Sequence, residues 1–251
     1  MARRQWSRTE LLLAFNLYCK TPFGKIHIRN PQIIELAALL GRTPSAVSWK
    51  LANFSRLDTA LKARNIAGAG HGAKADIGIW NEFHGNWEKL ALESEECLNR
   101  LKGGSLQPVE LEDHFPPGQN LVAAVKVRIN QAFFRSAILA AYGSACCVTG
   151  ISTPQLLIAS HIVPWAIDEP NRTNPRNGLC LNAIHDRAFD AGLMTVTTDY
   201  RVKISSSLMS SDLPAIQEIF QEYEGKRITL PDRFVPQPEF LQFHSSNVFL
   251  H

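Results

Sequence analysis

Near the middle of the chain the run Gly103 to Asn120, GGSLQPVELEDHFPPGQN, is rich in Gly and Pro and has neither helical nor alternating periodicity. Such a run reads as a linker, so the chain is expected to fold as two units. Residues 1–102 form one expected domain, 103–120 the connection, and 121–251 a second domain. At 251 residues in all, each part is long enough to bury a core of its own. Apolar residues make up 45% and charged residues 20%, a balance that excludes a chain too polar to collapse. No stretch approaches the roughly 18 uninterrupted apolar residues of a membrane span, and the start MARRQW lacks the apolar core of a signal peptide. A soluble, cytoplasmic protein with no membrane partner is the expectation. The five cysteines, Cys19, Cys97, Cys146, Cys147 and Cys180, have no regular spacing, and reduced thiols are expected.

Charge is distributed unevenly. The formal net charge is only +3, yet residues 1–75 carry 12 Lys and Arg against three acids, Glu10, Glu35 and Asp58. Clustered positive charge suits a polyanion, because neutralising phosphates releases condensed counterions. A solvated basic surface explains the same count equally well.

The basic part reads as helical. Ser7-x-x-Glu10 has the form of a capping box, and Leu11, Leu12, Phe15 and Tyr18 then fall on one face. Pro31 to Leu40 reads as a second helix that stops at Gly41. Thr43 as cap and Pro44 in the first helical position start a third, with Val47, Leu51 and Phe54 as its buried stripe. Two short helices joined by Gly41-Arg42 resemble a helix-turn-helix, whose second helix would present Ser45, Ser48, Trp49, Lys50 and Asn53, with Arg42 beside them, to DNA. A plain helical hairpin is the competing reading. Residues 77–100 read as one further amphipathic helix, with Trp80, Phe83, Trp87 and Leu90 as its core face. After the linker, Val122 to Tyr142 predicts a helix ended by Gly143.

The chemically informative segment is Cys146 to Thr195. A strand ends in Ser160-His161-Ile162-Val163-Pro164-Trp165, a polar loop follows, then Asn177-Gly178-Leu179-Cys180-Leu181, then His185-Asp186-Arg187-Ala188-Phe189-Asp190. Over about residues 120–250 the chain resembles the HNH endonucleases, the branch with the pattern SHI-x-PW, NGL, HD-x-AFD. The resemblance implies an α+β protein, in which a two-stranded ribbon and a following helix form a ββα-metal nuclease domain behind the helical HTH-like unit. It also implies the work to be done: hydrolysis of DNA phosphodiesters with 5′ phosphates left behind, in restriction or defence, by an enzyme that acts on two strands and for which a homodimer is plausible.

Hydrolysis of a phosphodiester needs a base for the attacking water and a cation to absorb charge on the phosphate. His161, a neutral imidazole near pH 7, is the candidate base. By analogy with the family, Asn177 orients the loop that bears it. Asp186 and Asp190 lie one helical turn apart with His185 adjacent, a donor set for one Mg²⁺ or Mn²⁺. The family's commonest pattern has Asp or His just before the base as a further metal ligand, and here that position is Ser160. Whether His185 or Asp186 is the main helical ligand is left open by the sequence. Relatives with two Cys-x-x-Cys knuckles hold a structural zinc; here the corresponding runs are Cys146-x-x-Thr149 and Asn182-x-x-His185, so no structural zinc is expected, with Leu181, Ile184 and Val148 packing in its place. Arg172 and Arg176 are candidates for the phosphate path. The alternatives are a non-catalytic, repressor-like DNA-binding protein with a degenerate HNH fold, and RNA as the substrate.

Overall fold

Capping accounts for where the first helices begin. In the computed structural model, which describes residues 4–63, 73–103 and 121–251, helix α1 spans Arg8–Lys20. Ser7 Oγ accepts from the Glu10 amide while the Glu10 carboxylate accepts from the Ser7 amide, so the capping box forms as expected. Helix α2 (Pro31–Leu39) is capped by Asn30, and α3 (Pro44–Ser55) by Thr43, whose hydroxyl accepts from Ala46 N. A short α4 (Thr59–Ala63) follows. The single helix expected over 77–100 is two, α5 (Lys74–Phe83) and α6 (Trp87–Leu101). The break falls at Gly85, whose φ of +94° takes the chain out of helical geometry, a conformation that costs glycine little.

The described chain divides into two compact units, one running to Ala137 and the other Ile138–His251. The division falls inside helix α7 (Leu121–Ala141). The first part of α7 packs with the first unit: the rings of Trp87 and Phe133 lie 6.5 Å apart, and Asn130 Nδ2 donates to Glu88 at 2.7 Å. The expected connection, apart from Gly103, lies outside the described residues.

In the first unit the core is aromatic. Phe15, Tyr18, Phe54 and Trp80 form one cluster, with Phe15 ring centroids 5.1 Å from Phe54 and 5.4 Å from Trp80. Tyr18 keeps its hydroxyl satisfied by donating to the buried Asp58 carboxylate at 3.0 Å.

The second unit is α+β. Strand β1 (Leu157–His161) pairs antiparallel with β2 (Gly178–Asn182), with Ser160 opposite Leu179 and His161 opposite Gly178. Helix α8 (Ala183–Asp190) follows β2 with no loop between them and packs on both strands. A second hairpin, β3 (Met194–Val196) with β4 (Val202–Ile204), lies beyond. Helices α9 (Ser206–Met209), α10 (Pro214–Ile219) and α11 (Pro238–Asn247) complete the unit. Gly192, with φ +72°, is fixed by packing as well as by backbone: a Cβ there would meet Val248 O at 2.2 Å. Among the described residues no helix is long and apolar enough to cross a membrane.

Candidate active site

The β1–β2 ribbon places His161 at the last position of β1 and Asn177 just before β2, joined by a 16-residue excursion with two short 3-10 turns. Asn177 is fully buried. Its Oδ1 accepts from Val163 N at 2.8 Å, and its Nδ2 donates to Val163 O at 3.2 Å and to Asn171 O at 3.4 Å. One amide therefore ties the two ends of the loop together.

His161 is half-buried, with its ring edge-on to Trp165 at 5.4 Å between centroids. Its Nε2 lies 2.9 Å from Arg172 O. A carbonyl only accepts, so Nε2 carries the proton and the basic lone pair of the neutral ring is on Nδ1. Burial pulls the His161 pKa below the ordinary 6.5, against the opposing pull of the Arg172 carbonyl, and the ring is neutral at pH 7. The loop braces itself elsewhere as well: Arg172 Nε donates to Trp165 O at 2.7 Å, and Arg176 Nε to Val235 O at 3.1 Å.

Beside His161, the Ser160 side chain is buried and its Oγ has no hydrogen-bond partner of normal geometry. It lies near enough to the Asp186 carboxyl, on the first turn of α8, to lower that group's pKa, although burial dominates and the net shift is upward. Asp190, one turn on, is exposed at the surface; its pKa is raised by partial loss of water and then by the charge of Asp186. The Ser160 hydroxyl and the two carboxylates are oxygen donors of the kind a hard divalent cation takes. Ser160, Asp186 and Asp190 are the residues here that could hold such an ion. Among the described residues no group of three or more His, Cys, Asp and Glu is gathered in metal-binding geometry, so protein ligands alone would not complete an octahedral shell.

His185 does not join them. It is buried, its Nδ1 accepts from Asn182 Nδ2 at 2.8 Å, and its Nε2 donates to Ile219 O at 2.7 Å, with Phe220 and Tyr223 against its ring. Both nitrogens are spent on protein, which corrects the expectation of a catalytic or metal-ligating role for His185. Asn182, named in the sequence only as a departure from a zinc knuckle, is the hub of this region. Its Oδ1 caps α8 by accepting from the amides of Ile184 and His185, both at 3.0 Å, while its Nδ2 also reaches Thr149 Oγ1 at 3.2 Å and Cys146 Sγ at 3.7 Å. The four positions Cys146, Thr149, Asn182 and His185 thus converge through hydrogen bonds. The apolar packing expected there holds only for Leu181, since Val148 is half-buried and Ile184 is 55% exposed. An Asn directly before a helix is itself a cap signal, and that would have found Asn182.

In the first unit, two of the residues expected to face DNA are turned to internal use. Lys50 is buried, and its ammonium lies 2.7 Å from the fully buried Asp76 carboxylate. The Arg42 side chain, only 9% exposed, grips Glu10 with Nη2 at 2.9 Å. Ser45 and Trp49 are exposed, while Ser48 and Asn53 are half-buried.

Residues 146–197 match the family model described as HNH endonuclease. No curated relative matches the chain. With His161 at the end of the first strand, Asn177 bracing the loop and Asp186 on the helix, residues 146–197 are an HNH endonuclease domain.

Proposed function

We propose that the chain is a metal-dependent DNA endonuclease that uses His161 as general base and the Ser160–Asp186–Asp190 edge to hold one Mg²⁺ or Mn²⁺. The observation that carries this reading is the juxtaposition at the end of β1: a neutral, backbone-oriented imidazole next in sequence to a buried hydroxyl that adjoins the Asp186 carboxyl. The cation, when bound, supplies Lewis-acid stabilisation of the scissile phosphate and of the departing 3′ oxygen. His161 takes the proton from water on Nδ1, and the Arg172 carbonyl, by holding Nε2–H, stabilises the imidazolium that forms. Asn177 ties Val163 to Asn171, the residue before Arg172, so the imidazole is fixed before substrate arrives. Arg172 and Arg176 add positive charge to that loop.

The excess of basic residues in 1–75 supports a polyanionic substrate, and the exposed Ser45 and Trp49 of α3 supply a second contact. A role in restriction or defence, with a homodimer cutting two strands, follows from the same reading. Full-length protein is to be incubated with supercoiled plasmid and, in parallel, with structured RNA, in Mg²⁺, in Mn²⁺ and in EDTA. Nicked or linear plasmid in the metal lanes alone, with 5′ phosphates at the ends, is the expected result. A gel shift without cutting in any metal assigns the chain to non-catalytic DNA binding; digestion of RNA alone reassigns the substrate.

A further inference from the structure

The first unit holds a cleft of about 890 Å³ between the segment before α1, one face of α3 and the start of α5. That lies within the ~300–1,000 Å³ range in which proteins hold small ligands. Trp6 and Trp49 both line it. Trp6 is held by two cations, with the Arg42 guanidinium 4.3 Å and the Lys50 ammonium 5.1 Å from its ring centre. Trp49 is 64% exposed, so most of its ring is available to a ligand.

At the floor, the buried Asp76 carboxylate accepts from Lys50 and, at 3.2 Å, from Asn53 Nδ2. That bond orients the Asn53 amide and consumes one of its N–H groups. Among the described residues nothing else engages the second N–H and Oδ1, the adjacent donor and acceptor with which an Asn side chain meets the edge of an adenine. Above them, Arg4 and Arg42 share the single carboxylate of Glu10, which leaves one positive charge uncompensated next to the opening.

Aromatic surface, a pre-oriented amide and an excess guanidinium are the three recognition elements of a nucleotide: base face, base edge and phosphate. Resting on the reading of the chain as a DNA-acting enzyme, we propose that this cleft takes one nucleobase that has left the stack, seated on Trp49 and Trp6 and read by Asn53. A base within an intact duplex has both faces covered and cannot use such a site. Because the α3 residues line a hollow, they receive a base where a helix-turn-helix would press a ridge into a groove.

The test compares three DNA duplexes of one sequence, all in EDTA to prevent cutting: fully paired, with one extra unpaired adenine, and with an abasic nucleotide in place of that adenine. Affinities of full-length protein are read by fluorescence anisotropy. The unpaired adenine is expected to improve binding at least tenfold over both other duplexes, about 1.4 kcal/mol, within the range for stacking one base on an aromatic side chain. Trp49→Ala is expected to remove the preference and Trp49→Phe to retain most of it, with melting curves confirming that both fold. Equal affinity for the three duplexes, no binding to any of them, or a preference that survives in Trp49→Ala overturns the proposal. Plasmid cleavage on the same preparation separates the two readings. Cutting without a preference removes the cleft alone, and a preference without cutting removes the nuclease reading alone.

Discussion

Replacing Asn177 with Ala strips the loop after β1 of its internal tie. Val163 is 4% exposed, and its N–H and C=O are both bonded to the Asn177 side chain. A buried polar group left without a partner costs about 1–3 kcal/mol. For the two Val163 groups together, with partial relief of the carbonyl, the loss comes to about 2–4 kcal/mol. Against a typical domain stability of about 5–15 kcal/mol this lowers the second unit's melting temperature without abolishing its fold. Urea denaturation gives the magnitude, and amide hydrogen exchange gives the place: Val163 N–H loses protection before the β1–β2 amides do. Asn177→Asp provides no rescue, because it keeps the acceptor for Val163 N–H but loses the donor for Val163 O and buries a charge. Because Arg172, which orients His161, belongs to the same loop, DNA cleavage falls in both variants. An Asn177→Ala change of under about 0.5 kcal/mol, the scale of an inconsequential surface substitution, refutes the reasoning.

Three other consequences follow from buried groups. His244 donates Nε2–H to Phe189 O at 3.2 Å and accepts from Thr195 Oγ1 at 2.8 Å, and burial lowers its pKa to about 4. The unfolded chain then takes up the proton first, so this contribution to stability is complete above about pH 6.5 and is lost as pH falls toward 4, roughly 3 kcal/mol in all; urea midpoints at pH 7 and pH 5 in wild type and His244→Phe test it, the variant showing the flatter slope. Asp186→Asn, which removes a carboxylate whose charge burial disfavours, raises the melting temperature of metal-free protein while weakening Mn²⁺ binding measured by calorimetry; unchanged Mn²⁺ affinity contradicts the assignment of Asp186 to the ion. Lys50→Met leaves Asp76 charged and buried, and denaturation should register about 3–5 kcal/mol of destabilisation; a loss under 1 kcal/mol means that the pair is not the buried cross-link described.

What the sequence makes legible is local. Ser7 with Glu10, Thr43 with Pro44, and the strand, turn and helix around His161, Asn177 and Asp186 are each written within a few residues, and the α+β character of the second unit follows from them. The misread features depend on partners far along the chain. Lys50 has the spacing of an exposed residue on α3, and only Asp76, 26 residues later, makes it interior. His185 has the sequence context of a ligand, yet Ile219, 34 residues away, takes its Nε2 proton. Periodicity carries no information about either partner. Gly85 was legible in principle, since a glycine between apolar helical turns permits a break, but the continuous stripe of Trp80, Phe83, Trp87 and Leu90 gave the same pattern as one helix.

The most direct measurement is the rate of plasmid cleavage by His161→Ala at saturating Mn²⁺, with Mn²⁺ binding followed on the same sample. The account predicts a rate about 10²–10⁴-fold below wild type, the usual contribution of a general base, with the ion still bound. Cleavage at the wild-type rate by a variant lacking that imidazole contradicts it.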